Sequence, residues 1–232
     1  MSEQLITVGE VTQRLGVISN LPANKCLTKA EFDELVAQIP ELAPNGVYIM
    51  RKNRFLVTRD NWSFSNDDAS GVAVKTDNCA FVIAKEEQTS IQWGGYDILV
   101  NGCTTTTSES TAKKDYNGKQ NTSAIINHLG PSGNYAARYC VEYTFPHGVQ
   151  GYLPALGELH QAYLNKSEVD ACMSLIGGNA LGASSISNYK KWSSTQFDKT
   201  NALYLDWSNG NTLYYVKNTS NNYCARPFAA FQ

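Results

Sequence analysis

Apolar residues recur at two spacings along this chain, and the switch between them organises the reading. In "TKAEFDELVAQI" the residues Phe32, Leu35, Val36 and Ile39 fall three or four apart, which predicts an amphipathic helix. Thr28 and Glu31 precede that stripe at the spacing of a capping box, in which two unpartnered backbone N–H groups are satisfied reciprocally. The same spacing occurs at Thr7 and Glu10, ahead of "VTQRLGV". "PELAPNG" then breaks the helix. "VYIMRKN" and "RFLVTRDNW" read as two strands around a short polar turn. Residues 1–60 are therefore expected to form a small helix-plus-hairpin module, too small for a robust core alone. Its expected role is attachment or assembly.

From residue 61 to 232 the texture changes. "GVAVKT", "CAFVIAK" and "YDILVNG" read as strands, with Asp77-Asn78 turning between the first two. "TTTTSESTAKKDYNGKQNTS" reads as a polar loop. "NTSAIINHLG" predicts a short helix with Ile125, Ile126 and Leu129 inward and Gly130 ending it. "YAARYCVEY" fits a helix or a strand. "LPALGELHQAYLN" begins a helix near Pro154, with Leu156, Leu159 and Tyr163 on one face. "SEVDACMSLIGG" predicts another. Short strands follow in "KKWSST", "ALYLDW", "TLYYVK" and "NYCARPFAAF", and Asn209-Gly210 is the strongest hairpin signal in the chain. Helices segregated between strand-rich segments predict an α+β domain with no βαβ winding.

Composition narrows the function. Hydrophobic residues make up 42% of the 232 residues, enough for a sizeable core. A net charge of −2 without any basic block argues against a nucleic-acid partner. No apolar run is long enough for a membrane span. The first residues lack the charged-then-apolar pattern of a signal peptide, so a phage virion or the cytoplasm is expected over the usual export route. Cys26, Cys79, Cys103, Cys140, Cys172 and Cys224 are scattered with no CxxC, which favours buried thiols over a zinc site, with one or two disulfides as the alternative. His128, His147 and His160 have no ligand spacing to one another. "SNDDAS" reads as a solvated turn before a calcium loop. There is no G-x-S-x-G and no phosphate loop. No metal, cofactor or catalytic residue is expected, and the chain does not read as an enzyme.

The segments "AKKDYNGKQNTSAI", "YAARYCVEY", "GYLPALGEL", "KWSST", "NG" and the closing "ARPFAAF" occur in that order. In combination they resemble the variable proteins of diversity-generating retroelements, of the gut bacterial and phage type. That resemblance implies a C-type lectin fold, shared with the formylglycine-generating-enzyme family, and a variable region at about 188–225. In such elements a template is copied with its adenines randomised. Asn codons seed the variation, which would account for the Asn and Tyr crowding "NALYLDWSNGNTLYYVKNTSNNY". Tyr gives large, stiff contact area at small entropic cost, and Ser and Asn supply adaptable hydrogen bonds.

The resemblance implies a fixed framework of Trp192, Ser193, Ser194, Gly210, Arg226, Pro227 and Phe231, with Trp192 and Phe231 in the core and Arg226 a buried guanidinium tying the last strand to loops. It implies ligand-binding, variable positions at Lys191, Phe197, Asp198, Lys199, Tyr204, Asp206, Ser208, Leu213, Tyr214, Tyr215, Asn218, Ser220 and Asn222. In a regular strand Tyr214 and Tyr215 face opposite sides, so one of them at most is expected at the surface. The chain departs from the family's pattern at Lys191, where an aromatic is usual, and in its "CARPF" ending. The expected partner is a protein or glycan on a target surface, with a virion or cell-surface assembly partner bound through the N-terminal module. The alternatives are a phage structural or assembly protein that does not diversify and, less favoured, an oxidase of the formylglycine-generating type. Calcium-dependent sugar binding lacks its familiar Glu-Pro-Asn, Gln-Pro-Asp and Trp-Asn-Asp triplets.

Overall fold

The computed structural model describes residues 6–7, 26–182 and 189–231. A two-stranded ladder pairs β1 (Ile6–Thr7) with β2 (Cys26–Leu27), and α1 (Lys29–Val36) follows. Thr28 sets the start of α1. Its hydroxyl accepts the Glu31 N–H at 3.2 Å, and its own N–H donates to Glu31 Oε2 at 2.9 Å. Phe32, Leu35 and Ile39 then pack on buried Leu27 and Phe55. The capping box expected at Thr7 and Glu10 lies outside the described residues, apart from the backbone of Thr7.

Four further strands come next: β3 (Gly46–Arg51), β4 (Leu56–Val57), β5 (Ala69–Lys75) and β6 (Ala80–Ile83). The helices are α2 (Glu109–Ala112), α3 (Gly118–Leu129), α4 (Ala136–Glu142), α5 (Leu156–Leu164) and α6 (Lys166–Leu175). The chain closes with β7 (Lys190–Gln196), β8 (Asn201–Asp206), β9 (Thr212–Val216), β10 (Tyr223–Cys224) and β11 (Phe228–Ala230).

One antiparallel sheet has the order β11-β6-β5-β3-β4. The expected division at residue 60 therefore needs correction. The hairpin assigned to the 1–60 module pairs with β5, in register from Gly46 opposite Lys75 to Met50 opposite Gly71 and with a shift before Arg51 opposite Ala69, and shares its sheet with the last strand. A second sheet has the order β10-β7-β8-β9, antiparallel except for the parallel pair of β10 with β7.

Alternation sorts the strand residues between layers. Ile49, Val72, Val74, Phe81 and Ile83 point from the five-stranded sheet into a core shared with Leu203, Leu205 and Trp207 of the other sheet region and with Leu156, Leu159, Val169 and Met173 of α5 and α6. Met50, Ala73, Val82 and Ala84 point the other way, onto Phe145. On the far face of the four-stranded sheet, Trp192, Tyr204 and Tyr223 pack with Ile91, Trp93, Ile125 and Cys140. The two helices thus join the sheets into one α+β core.

Three expectations differ locally. "YDILVNG" forms no strand, because Gly94, Gly95 and Asp97 all have positive φ and turn the chain. The polar stretch after Thr104 is not all loop, since Ser108 caps α2 by accepting the Thr111 N–H at 3.3 Å and α3 begins as early as Gly118. "YAARYCVEY" is helical, as α4. The hairpin signal at Asn209-Gly210 does turn β8 into β9, with Gly210 at φ +77° and its N–H donating to the Asp206 carbonyl at 2.7 Å.

Candidate functional site

Of the expected framework residues, Trp192, Ser193, Ser194, Arg226 and Pro227 are buried, whereas Gly210 and Phe231 are half-buried. Trp192 is fully buried, donates through Nε1 to the Ile91 carbonyl at 2.9 Å and stacks on Tyr223 with ring centroids 4.3 Å apart. Ser193 Oγ donates to the Leu203 carbonyl at 2.8 Å, and the Ser194 N–H donates to the Pro154 carbonyl at 2.7 Å. Arg226 is buried. Its guanidinium donates to the carbonyls of Ala84, Lys85 and Asn179 at 2.8–3.0 Å and pairs with Glu87 at 3.1 Å. Pro227 is buried and its carbonyl accepts the Ala84 N–H. Phe231 departs from expectation: it follows β11 at the rim of the sheet and is only partly buried.

Two expected variable positions are corrected outright. Lys191 is buried, and its Nζ lies 2.6 Å from Glu87 Oε2, the carboxylate that also holds Arg226. Burial pushes its ammonium below the ordinary lysine range, with Glu87 opposing that shift. Tyr204 is buried as well, edge-on to Trp192 and Tyr223, because β8 is an inner strand whose face is covered. Neither side chain can change freely without disturbing the frame.

The remaining candidates are exposed or half-exposed. They divide by what they touch. On β9, Leu213, Tyr214 and Tyr215 expose 43%, 52% and 47% of their surfaces. Both tyrosines are thus at the surface, which corrects the expectation of one at most: β9 is an edge strand, open on both faces over its centre. Phe197 stacks on Tyr214 with centroids 3.9 Å apart, and Tyr215 lies over Tyr223 at 5.5 Å. Next to this strip, Lys199 bridges to Asp97 at 2.8 Å. That ion pair joins the β7–β8 turn to the loop that carries Tyr96 and Leu99, both half-exposed apolar residues. The sequence reading missed these two because it placed the loop in a strand.

Lys217 holds the same loop from beneath. Its Nζ donates to the Ile98 carbonyl and to Gln196 Oε1, both at 2.8 Å, and lies 4.5 Å from the Trp93 ring centre. Burial lowers its pKa to about 8. Asp198 builds the turn more than it faces outward. Its Oδ1 accepts the Thr200 and Asn201 N–H groups at 2.7 and 2.6 Å. Burial raises its pKa, but these hydrogen bonds outweigh that and hold it below the usual carboxylate range.

Asp206 and Ser208 lie at the far end of the β8–β9 hairpin, where the Asp206 carboxylate accepts the Ser208 N–H at 2.9 Å. Asn218 follows Lys217, whose N–H pairs with the Thr200 carbonyl, and so sits near the strip. Ser220 and Asn222 lead away to β10 on the opposite edge of the sheet, with Asn222 at φ +68°, a conformation asparagine tolerates. The structure therefore gathers Phe197, Lys199, Leu213, Tyr214, Tyr215 and Asn218 around one sheet edge and leaves Asp206, Ser208, Ser220 and Asn222 outside that cluster.

Elsewhere, an open cleft of about 590 Å³ is lined by Cys79, Tyr116, Asn117, Lys119, Tyr152 and Glu158. Glu158 is buried there. It accepts the Tyr152 hydroxyl at 2.8 Å and the Ala155 N–H at 2.7 Å, and burial raises its pKa to about 8. Cys79, Cys103, Cys140, Cys172 and Cys224 are free thiols, and burial pushes Cys103 and Cys172 up to about 12 and Cys224 up to about 11. Thiols so protonated are poor nucleophiles at neutral pH. Among the described residues no cluster of three metal-ligating side chains occurs, and no helix is long and apolar enough to cross a membrane.

No family model matches the chain, and no curated protein matches it. A solved structure does: a fimbrial protein from Bacteroides ovatus, 13% identical, superposes with a TM-score of 0.59 over 81% of this chain. This chain spans about half of that one, covering 48% of it. At that identity the likeness is one of fold, and it extends over most of the α+β core described above.

Proposed function

We propose that this chain is a ligand-recognition protein that carries a diversified surface on a C-type lectin scaffold, in the manner of the variable proteins of diversity-generating retroelements. One observation carries the reading: the uncharged strip of Leu213, Tyr214 and Tyr215 stands exposed on a strand next to a frame in which Trp192, Ser193 and Arg226 are buried and fully engaged. Exposed aromatic groups on a rigid support give contact area with little ordering cost. Lys191 and Tyr204 belong to the frame on this reading. The ligand is a protein or glycan on a target surface, and the N-terminal residues attach the protein to a virion or cell surface.

Population sequencing of the coding region tests it. Substitutions traceable to template adenines should accumulate at the codons for Leu213, Tyr214, Tyr215 and Asn218 and spare those for Lys191, Trp192, Tyr204 and Arg226. Uniform codons at all of these positions, with no template copy nearby, would overturn diversification. The fold likeness to a fimbrial protein favours the second reading in that event, a surface or assembly protein of fixed sequence.

A further inference from the structure

The strip has a backbone side as well as a side-chain side. β9 pairs with β8 from Asn201 opposite Val216 to Leu205 opposite Thr212 without a register shift. Antiparallel pairs alternate between hydrogen-bonded and open. Asp206 donates to the Asn211 carbonyl at one end of this ladder and Lys217 to the Thr200 carbonyl at the other. Counting inward by twos, Leu213 and Tyr215 bond to β8, so the N–H and C=O groups of Thr212, Tyr214 and Val216 point outward. The Val216 carbonyl is taken by the Thr219 N–H at 3.0 Å. The other outward groups, both from Thr212 and Tyr214 and the N–H of Val216, have no hydrogen bond among the described residues.

Folded proteins protect such edges with Lys, Pro, a bulge or a covering element. "TLYYV" has no charge and no Pro, its register is regular, and its three central side chains are exposed. The edge is bare where protection is usual. It presents donors and acceptors at the repeat of a β-strand, between apolar side chains on both faces. A sugar ring could stack on the tyrosines but would not match that ladder of alternating backbone groups. An extended peptide matches both features at once.

We infer that the ligand of this surface is an extended polypeptide segment that adds to β9 as a fifth strand of the sheet, an inference that rests on the recognition reading above. Its backbone pairs with Thr212, Tyr214 and Val216. Its side chains alternate between the Leu213/Tyr215 face and the Tyr214/Phe197 face, so uncharged apolar and aromatic residues are favoured along it.

The test is to screen the intact chain in parallel against short random peptides and an immobilised glycan panel. The best binder is then probed through its backbone. Strand addition requires alternate peptide N–H groups, so N-methylation should weaken binding by about tenfold or more at every second residue and little between them. On the protein side, Tyr214→Pro removes an outward N–H that β8 does not use, and Tyr214→Ala removes the side chain alone. Tyr214→Pro should bind about tenfold more weakly than Tyr214→Ala. If the proline variant fails to fold, the N-methyl scan on the parent carries the test. Peptide binding indifferent to N-methylation, or glycan binding in place of peptide binding, would overturn strand addition and leave the recognition surface standing. So would a dimer in sedimentation that Tyr214→Pro dissociates, since the occupant would then be a second copy of this chain. Failure to bind either panel would overturn the recognition reading itself, and strand addition with it.

Discussion

Glu87 is the keystone of the frame, and replacing it by Gln separates charge from shape. Its carboxylate lies 2.6 Å from Lys191 Nζ and 3.1 Å from an Arg226 terminal nitrogen, and all three side chains are at least nine-tenths buried. Gln is nearly isosteric, so the change opens no cavity. It does leave two buried cations without their shared anion. Breaking a buried ion pair from one side costs about 3–5 kcal/mol, most of it from the charge left behind. Arg226 retains three carbonyl acceptors, which places the expectation toward the lower end. With a urea slope of about 1–3 kcal/mol per molar, a loss near 3 kcal/mol should lower the unfolding midpoint by roughly 1–3 M. Lys191→Met provides the contrast. It leaves Glu87 paired with Arg226 and fills the lysine's volume, so it should cost about 1–2 kcal/mol. Urea titrations followed by tryptophan fluorescence measure both. A Glu87→Gln variant within about 1 kcal/mol of the parent would put the triad in the range of a surface pair and refute the argument.

Two further expectations follow from burial. Trp192→Ala and Tyr204→Ala should each cost about 3–5 kcal/mol by emptying core sites, whereas Tyr215→Ala should stay within about 1 kcal/mol, all read from denaturation midpoints; a large loss at Tyr215 would mean that β9 is structural. Glu158 has a folded pKa raised to about 8 against an ordinary 4.5, so the folded state holds its proton more tightly, and the stability it contributes is complete below about pH 4.5 and lost as pH rises toward 8; Glu158→Gln should flatten the stability–pH profile over that window, and an unchanged slope would show that the carboxyl titrates normally.

Local features were legible in the sequence where neighbouring residues decide them. Thr28 and Glu31 cap a helix with groups three residues apart, Asn209-Gly210 turns a hairpin, and Gly130 ends α3 with φ +81°. What depends on distant partners was not legible. Lys191 looks like any surface lysine until Glu87, 104 residues earlier in the chain, is brought beneath it. Tyr204 and Tyr215 are the same residue type in similar surroundings, and only the strand order makes one an inner position and the other an edge. "YDILVNG" has the apolar content of a strand, but the positive φ at Gly95 and Asp97 makes it the loop that presents Tyr96 and Leu99.

The placement of the closing strands has a consequence for synthesis. β10 completes one sheet beside β7 and β11 completes the other beside β6, so each sheet waits for residues made after β9. A copying error that shifted the reading frame anywhere in 197–222 would scramble both strands along with Arg226, and neither sheet could close. Such a product would stay unfolded and fall to proteolysis, while an in-frame substitution at the bare edge would pass. The position of β10 and β11 would thus make the fold strict about frame and lenient about letters at the exposed edge.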